Sequence, residues 1–463
     1  EPARRRSIDY RSNKFLFYSL LLLFFWLPIP LGSNRPWAWA IMEIWSFGLL
    51  AYWLFITPLA LVKMQLKPFV VPIALLLLFQ FWVFIQLVPL PIDQLSKLSS
   101  LHAELLPLTH SDTAPISLDQ NQTVVALLKG LSYLTIMILF FVLINSFERL
   151  NKFTLIIIAT GTFQASYGVL QGLSGAETSW VVGLPNKGIA TGSFVYKNHY
   201  GNFMVLCLCV GIGYMISTFD KQKKHAYTNV QELLNLILNG KMAIRLCLAI
   251  MVIGLVMSNS RMANAAFFTT LGLVGIALLF IFRDSLKSIL WLLASMLFID
   301  LLIVGNWFGF ERVKDRLIAT SFRADYRDEV NEFGFQLFTS NPILGSGGGS
   351  FYSVFPSVNQ GIKNLFYDFA HNDYLQFAVE FGVVGFIVLL TMVLTSLVIS
   401  VGTISSKQPL LRGMAIGSIM AIFAQSIMLT TDFHLQAPAT AVYFLLILSL
   451  TWTVHHLNRM RGF

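Results

Sequence analysis

The chain has 463 residues, of which 56% are hydrophobic and 12% are charged, roughly half the charged share of a soluble domain. This composition excludes a soluble globular protein of that length and indicates a polytopic α-helical membrane protein. The formal net charge of +9 suits the surface of a membrane with anionic lipids, and nothing in the pattern suggests nucleic acid. The three cysteines, Cys207, Cys209 and Cys247, lie in apolar runs, where they are expected to pack rather than form disulfides or a metal site.

Hydrophobic runs long enough to cross a ~30 Å hydrocarbon core predict about twelve transmembrane helices. The first run lacks a small-residue cleavage site, so it is expected to be a retained helix. We predict a single integral membrane domain over residues 1–463. The predicted spans lie near residues 15–33, 38–60, 68–90, 123–145, 153–173, 199–217, 243–259, 263–282, 288–308, 374–400, 413–430 and 436–454.

Lysine and arginine are unevenly distributed between the segments that connect these runs. If the N-terminus is inside, the short outer loops hold few cations, whereas the inner segments hold many. Cytoplasmic segments of membrane proteins are enriched in this way. The bias predicts that both termini are cytoplasmic. It also predicts a cytoplasmic loop at residues 218–242 and a large outer loop, containing short helices, at residues 309–373.

The segment His371-Asn372-Asp373 opens a long apolar run that contains Gly382 and Gly385. If the helix starts near residue 372, its dipole disfavours a charged imidazole and keeps His371 neutral, as a general base must be. The two glycines would lie on the same helix face and let another helix approach closely. A histidine that only caps a helix at the lipid interface is the alternative, and the residues alone leave it open.

Arginines at three positions are candidates for binding phosphate. Arg261 follows Ser258-Asn259-Ser260 between two apolar runs, and its forked donors suit a diphosphate. Arg323 and Arg327 lie four residues apart, on one face of a predicted helix. The alternatives are snorkelling for Arg261 and a solvated, ion-paired helix surface for the other two.

Further polar groups lie in other predicted outer segments. Lys197 and His199 lie at the mouth of a helix, where they suit phosphate or sugar binding or interfacial anchoring, and Asp432 and His434 lie in a short hairpin. The glycine-rich run 345–349 lacks the flanking features of a phosphate-binding P-loop and predicts a flexible turn. Together the cations and His371 predict a cationic pocket with a neutral base, suited to an anionic, membrane-borne substrate.

Several motifs resemble those of the O-antigen ligase and polymerase superfamily of bacterial glycan-assembly enzymes. The resemblance spans roughly residues 180–450, with Lys197 at a position where relatives often have arginine, and with Met262-Ala263 where many have two glycines. The matching motifs are His371-Asn372 with Gly382-Val383-Val384-Gly385, Arg327 with the later run Asn341–Gly347, Ser260-Arg261, the segment Gly192–Asn202 and the hairpin Asp432–Pro438.

The resemblance implies an all-α membrane fold and a metal-independent, inverting glycosyltransferase without a cofactor. It implies transfer of a glycan from a polyprenyl (undecaprenyl) diphosphate to an acceptor hydroxyl on the periplasmic face of the bacterial inner membrane. His371 would deprotonate the acceptor, and Arg261 and Arg327 would stabilise the leaving diphosphate. The residues expected to contact substrate are Lys197, His199, Asn372, Arg323, Asp432 and His434.

The acceptor separates the members of this superfamily. A ligase uses a glycolipid such as lipid A-core, which the motif spacing slightly favours, and a polymerase uses another lipid-linked glycan. A protein O-oligosaccharyltransferase and a lipid-linked glycan transporter are further alternatives. A transporter would be expected to have inverted repeats and charges near the membrane midplane, but the sequence has no such repeat and few buried acidic residues.

Overall fold

The computed structural model describes residues 2–105, 112–180, 183, 185, 188–218, 240–281, 327–358 and 367–460. The predicted span 288–308, Arg323 and most of the two predicted loops, 218–242 and 309–373, lie outside these residues. The strands β1 (Leu90–Pro91) and β2 (Thr113–Ala114) form a short antiparallel pair. The α-helices are α1 (Pro2–Trp26), α2 (Pro36–Ile56), α3 (Leu59–Leu66), α4 (Val70–Ile85), α5 (Ile92–Leu98), α6 (Ser100–Leu105), α7 (Gln120–Leu143), α8 (Phe147–Leu173), α9 (Lys197–Ser217), α10 (Gly240–Met257), α11 (Arg261–Ile281), α12 (Arg327–Ser340), α13 (Phe351–Val354), α14 (Asp373–Thr403), α15 (Pro409–Met428) and α16 (Pro438–Met460).

Many of these helices are long and apolar enough to cross a membrane. In the described part of the chain there are 8 such segments: α2, α3 with α4, α7, α8, α9, α14, α15 and α16. Shorter apolar helices at Lys14–Trp26, Met242–Met257 and Arg261–Ala277 coincide with further predicted runs. The fold agrees with an all-α polytopic membrane protein. The number of twelve spans stays a prediction.

Helix α9 lies at the centre of the bundle, where it contacts α8, α10, α15 and α16. It meets α15 at Gly213, where an added Cβ would collide with the backbone of Gly413 and Gly417. Lipid tails are as apolar as the surface of a helix, so helices in a membrane associate mainly through close packing. Small residues allow this because they let two backbones approach closely. Nearer the start of α9, the Asn202 amide donates to the Gln425 side chain at 2.7 Å. These contacts fix α9 against α15 near both the start and the end of α9.

Helix α14 is broken at Gly382, whose φ of 62° and ψ of −176° are non-helical. Broken backbone inside a membrane is stable only where protein groups replace the lost hydrogen bonds. Here the Trp82 indole donates to the Phe381 carbonyl at 2.8 Å, and the Gln86 amide donates to the Glu380 carbonyl at 2.9 Å. On the other side of the break, the Val383 N–H donates to Pro342 at 2.8 Å. Hydrogen bonds from other segments thus stabilise the backbone on both sides of the break.

The glycine-rich run 345–349 packs into this break. Gly345, Gly347 and Gly349 have positive φ, and the N–H groups of Ser346 and Gly347 each donate at 2.9 Å to carbonyls of α14. Residues 344–348 are buried. The prediction of a flexible turn was wrong, because positive φ at these glycines serves a tight backbone-to-backbone contact.

Candidate active site

The first residues of α9, α12 and α14 lie around residues 429–437, which connect α15 to α16. The turn before α11 lies beside the start of α9. Hydrogen bonds link these segments, which are far apart in the sequence, as between Tyr196 and Asp432 and between Asn198 and Ser260. They bring together at one end of the bundle Lys197, Asp432, His371, Arg327 and the turn that precedes Arg261. Arg323 lies outside the described residues.

Asp432 is the centre of this network and is only 1% exposed. Its Oδ1 lies 3.0 Å from His371 Nδ1 and accepts the N–H of Phe433 at 3.1 Å. Its Oδ2 accepts the Tyr196 hydroxyl at 3.0 Å and the Asn198 amide. A buried carboxylate needs donors of this kind to replace its lost hydration.

The electrostatics keep Asp432 ionised. Burial by itself would raise the pKa of the Asp432 carboxyl, but the hydrogen bonds from His371 and Asn198 outweigh it and hold the pKa below its usual range. Burial and the charge of Asp432 raise the pKa of Tyr196, so its phenol remains a donor. With Asp432 ionised, His371 donates from Nδ1, which leaves Nε2 as the basic nitrogen.

His371 lies just before helix α14 in a left-handed conformation, with φ 51°. The N-cap is Asn372, whose Oδ1 accepts the N–H groups of Tyr374 and Leu375 at 3.1 and 3.2 Å. His371, which the expected helix start near residue 372 would make the cap, therefore lies one residue before it. The orienting group for the imidazole is Asp432, which belongs to another connection. The His371 side chain is 21% exposed. A ligand from outside can therefore reach it.

Two cationic side chains are anchored to the same network. Arg327 donates to the Thr431 carbonyl at 3.3 Å and to the Tyr196 hydroxyl at 3.4 Å, and its guanidinium lies 3.9 Å from Asp432. The Lys197 ammonium donates to the Asn259 carbonyl at 3.2 Å. Because Asn259 belongs to the turn before Arg261, Lys197 connects α9 to that turn.

Arg261 is the first residue of α11 and is exposed. The preceding residue, Ser260, donates from Oγ to the Asn198 side chain at 2.8 Å. Asn198 in turn donates to Asp432. The start of α11 is thus fixed two hydrogen bonds away from the carboxylate that orients His371.

Phe433 forms the apolar wall of the site. Its ring stacks on Tyr196 with centroids 5.3 Å apart and on Phe369 at 4.3 Å. The His371 imidazole meets the same ring edge to face at 4.9 Å. Packing on a large rigid ring restricts the imidazole to few orientations, which supports the hydrogen bond to Asp432.

The remaining predicted substrate contacts differ in exposure. His199 is 3% exposed and bonds the Phe433 carbonyl through Nε2 at 3.0 Å, and His434 is 1% exposed. Burial lowers the pKa of His434 and keeps its ring neutral. Asn372 serves as the helix cap. Contact of these three side chains with a substrate stays a prediction, whereas their structural contacts are part of the fold.

Tyr196, Asn198 and Phe433 are site residues that the sequence reasoning did not single out. Each is next in the sequence to a residue that was predicted to belong to the site. Lys197 lies between Tyr196 and Asn198, and Asp432 precedes Phe433. The signal was the polar cluster at each helix mouth. Which residue of a cluster faces the site depends on how the helix is rotated about its axis, and residue spacing alone does not predict this rotation.

Comparison with known families supports the sequence resemblance. Residues 246–390 match the family described as O-antigen ligase, a region that includes Arg261, Arg327 and His371. No protein of curated function matches the chain. The match confirms the predicted resemblance to the O-antigen ligase and polymerase superfamily over these residues.

Proposed function

We propose that this chain transfers a glycan from a polyprenyl diphosphate to an acceptor hydroxyl, without a metal, at the periplasmic face of the bacterial inner membrane. The preferred acceptor is a glycolipid of the lipid A-core type, as in an O-antigen ligase. The pairing of His371 with Asp432 carries the proposal. It combines an imidazole that a ligand can reach with a buried carboxylate that fixes its orientation.

His371 supplies the base. Asp432 accepts from Nδ1, so Nε2 takes the proton of the acceptor hydroxyl as its oxygen attacks the anomeric carbon. The bond from that carbon to the diphosphate oxygen breaks on the opposite face, and the configuration inverts. Asp432 also stabilises the imidazolium that forms, in the manner of a buried carboxylate beside a catalytic histidine.

Cations stabilise the diphosphate as its charge develops. Arg327 donates to the Thr431 carbonyl and lies 3.9 Å from Asp432, and Lys197 donates to the Asn259 carbonyl. Arg261 follows Ser260, which is hydrogen-bonded to the same network. Fixed cations cost no reorganisation when the leaving group departs. Replacing Arg261 or Arg327 by alanine is expected to slow transfer roughly 100-fold, equivalent to about 3 kcal/mol.

The first test is transfer from an undecaprenyl diphosphate glycan by purified protein in the presence of EDTA. Wild type is compared with His371→Ala and with the matched control His455→Ala, which lies in the last turns of α16. We expect activity in wild type and control and almost none in His371→Ala. Equal transfer by all three would refute the base, and loss of wild-type transfer in EDTA would refute metal independence.

The acceptor is tested in the same reaction. Lipid A-core and a second undecaprenyl diphosphate glycan are supplied in turn with a labelled donor. Label on lipid A-core supports the ligase, and a longer lipid-linked glycan makes the chain a polymerase. Tight binding of the donor with no transfer to either acceptor would instead favour a transporter.

A further inference from the structure

Gln376 and Glu380 are buried polar side chains in the first part of α14 that the proposed chemistry does not use. They are 1% and 2% exposed and lie one helical turn apart. The Gln376 amide nitrogen donates to Glu380 Oε1 at 2.6 Å. Polar groups buried at this depth are costly unless they are fully bonded, so the remaining partners of the pair are informative.

One end of the pair holds the segment that carries His371. Gln376 Oε1 accepts the N–H of Ala370 at 2.7 Å, and Ala370 is completely buried. The next residue, His371, has φ 51°. A non-glycine residue stays in that region only where its surroundings hold it there. The bond from Gln376 fixes the backbone immediately before this strained residue.

The other end of the pair holds the glycine-rich run. Glu380 Oε2 accepts the N–H of Gly349 at 2.9 Å. The Glu380 backbone carbonyl accepts the N–H of Gly347, also at 2.9 Å. Both carboxyl oxygens therefore accept, as suits a carboxylate.

We infer that Gln376 and Glu380 are positioning residues for His371. They form a continuous chain of hydrogen bonds from Gly349 to Ala370, and this chain holds the turn that presents the imidazole to Asp432. The inference rests on the proposed role of His371 as the base. Neither side chain is accessible to a substrate, so their loss acts on the chemical step and not on donor binding.

An exchange of the two side chains tests this directly. Gln376→Glu alone places two carboxylates side by side, and Glu380→Gln alone turns an amide N–H toward a donor. In the double variant every bond is restored. The exchanged carboxylate accepts from Ala370 and from the exchanged amide, and the oxygen of that amide accepts from Gly349.

We measure kcat and KM for the donor, together with the melting temperature in detergent. Each single variant is expected to lower kcat about tenfold or more with KM nearly unchanged, and the double variant is expected to recover most of the loss. A tenfold loss corresponds to about 1.4 kcal/mol. A double variant as slow as the slower single, or single variants as fast as wild type, would overturn the positioning role.

Ser46→Ala is the matched control for general destabilisation. It removes another buried hydrogen bond, 2.9 Å long, between α2 and Ser132 of α7. Its melting temperature should fall while kcat is kept. If Gln376→Glu does not fold, Glu380→Gln is compared with Ser46→Ala. Slower turnover in Glu380→Gln alone supports the inference, and equal turnover in the two overturns it.

His371→Ala, measured in parallel, separates this inference from the proposed function. An active His371→Ala would refute the proposed base, and the positioning role with it. An inactive His371→Ala combined with an exchange that does not rescue refutes the positioning role alone.

Discussion

Among the single residues, Asp432 determines the geometry of the site. It receives hydrogen bonds from two side chains of the α9 segment, from its own neighbour and from His371. Removing the charge of a buried acceptor leaves its donors without a partner, which costs more than the bond itself. The orientation of His371 thus depends on a connection that lies 61 residues away in the sequence.

Asp432→Asn is expected to slow glycan transfer by about 100- to 10,000-fold, because the amide no longer stabilises the correct tautomer and the imidazolium. Single-turnover rates with saturating donor measure the effect. Donor affinity is expected to change far less, since the side chain is 1% exposed. A variant that turns over at the wild-type rate would show that His371 does not depend on this carboxylate.

His434 predicts a pH dependence of stability. Burial lowers its pKa in the folded state, so the folded protein resists protonation while the unfolded chain binds a proton below about pH 6.5. The free energy of unfolding therefore falls as the pH drops below that value, by at most about 1.4 kcal/mol per pH unit from this group. At higher pH the effect disappears.

His434→Phe removes this ionisable group while keeping a ring of similar size. Neither ring nitrogen of His434 has a hydrogen-bond partner in the described part of the chain, so the change leaves few groups without a partner. Melting temperatures of wild type and variant are compared at pH 7.5 and 5.5. The loss on acidification should be smaller in the variant. An equal loss in both would assign the effect to other groups.

Among the helices, the break in α14 controls how the outer segments pack. Gly382 adopts a conformation that is essentially restricted to glycine, and an added Cβ there would collide with the Ile343 carbonyl. The break presents carbonyls of α14 to the glycine-rich run 345–349. It thereby determines where Gly349 and Glu380 meet.

Gly382→Ala should consequently unfold or strongly destabilise the protein, by several kcal/mol from strain and steric overlap. Gly402→Ala is the matched control. It lies in the same helix, and an added Cβ there meets nothing within 4 Å, so it should be neutral or stabilise by up to about 1 kcal/mol. Melting temperatures and the yield of monodisperse protein in detergent distinguish the two. Similar behaviour of both variants would contradict a structural requirement for the break.

For the whole molecule, the sequence predicted the helices better than the contacts between them. Apolar runs predicted the long helices because the length and composition of a run can be read from the sequence without knowing which helices it contacts. The pairing of His371 with Asp432 was not predictable, since it joins two helix mouths through the tertiary packing of α14 against α15 and α16. The glycine-rich run was misinterpreted for a related reason. Glycine permits both flexibility and tight backbone contact, and only its partner at Gly382 decides between them.

Orientation in the membrane is the prediction that concerns the molecule as a whole. We expect Tyr196 and His371 on the periplasmic side and the α14–α15 connection, which contains Ser405 and Lys407, on the cytoplasmic side. Glu177 and Ser405 are both exposed, and the apolar segment of α14 separates Ser405 from the site. Glu177→Cys should react with a membrane-impermeant maleimide in spheroplasts, whereas Ser405→Cys should react only after lysis.

Wild type is the background for this labelling, because Cys207 and Cys209 are buried and Cys247 is only partly exposed. Among the residues described between 177 and Tyr196 there is no apolar helix, so labelling at 177 is expected to report the side of the site itself. The reverse labelling pattern would place His371 on the cytoplasmic side of the membrane. The enzyme could then not transfer glycans at the periplasmic face. A glycan assembled on polyprenyl diphosphate would then meet this enzyme before translocation, and the ligase proposal would fail whatever the activity of the purified protein.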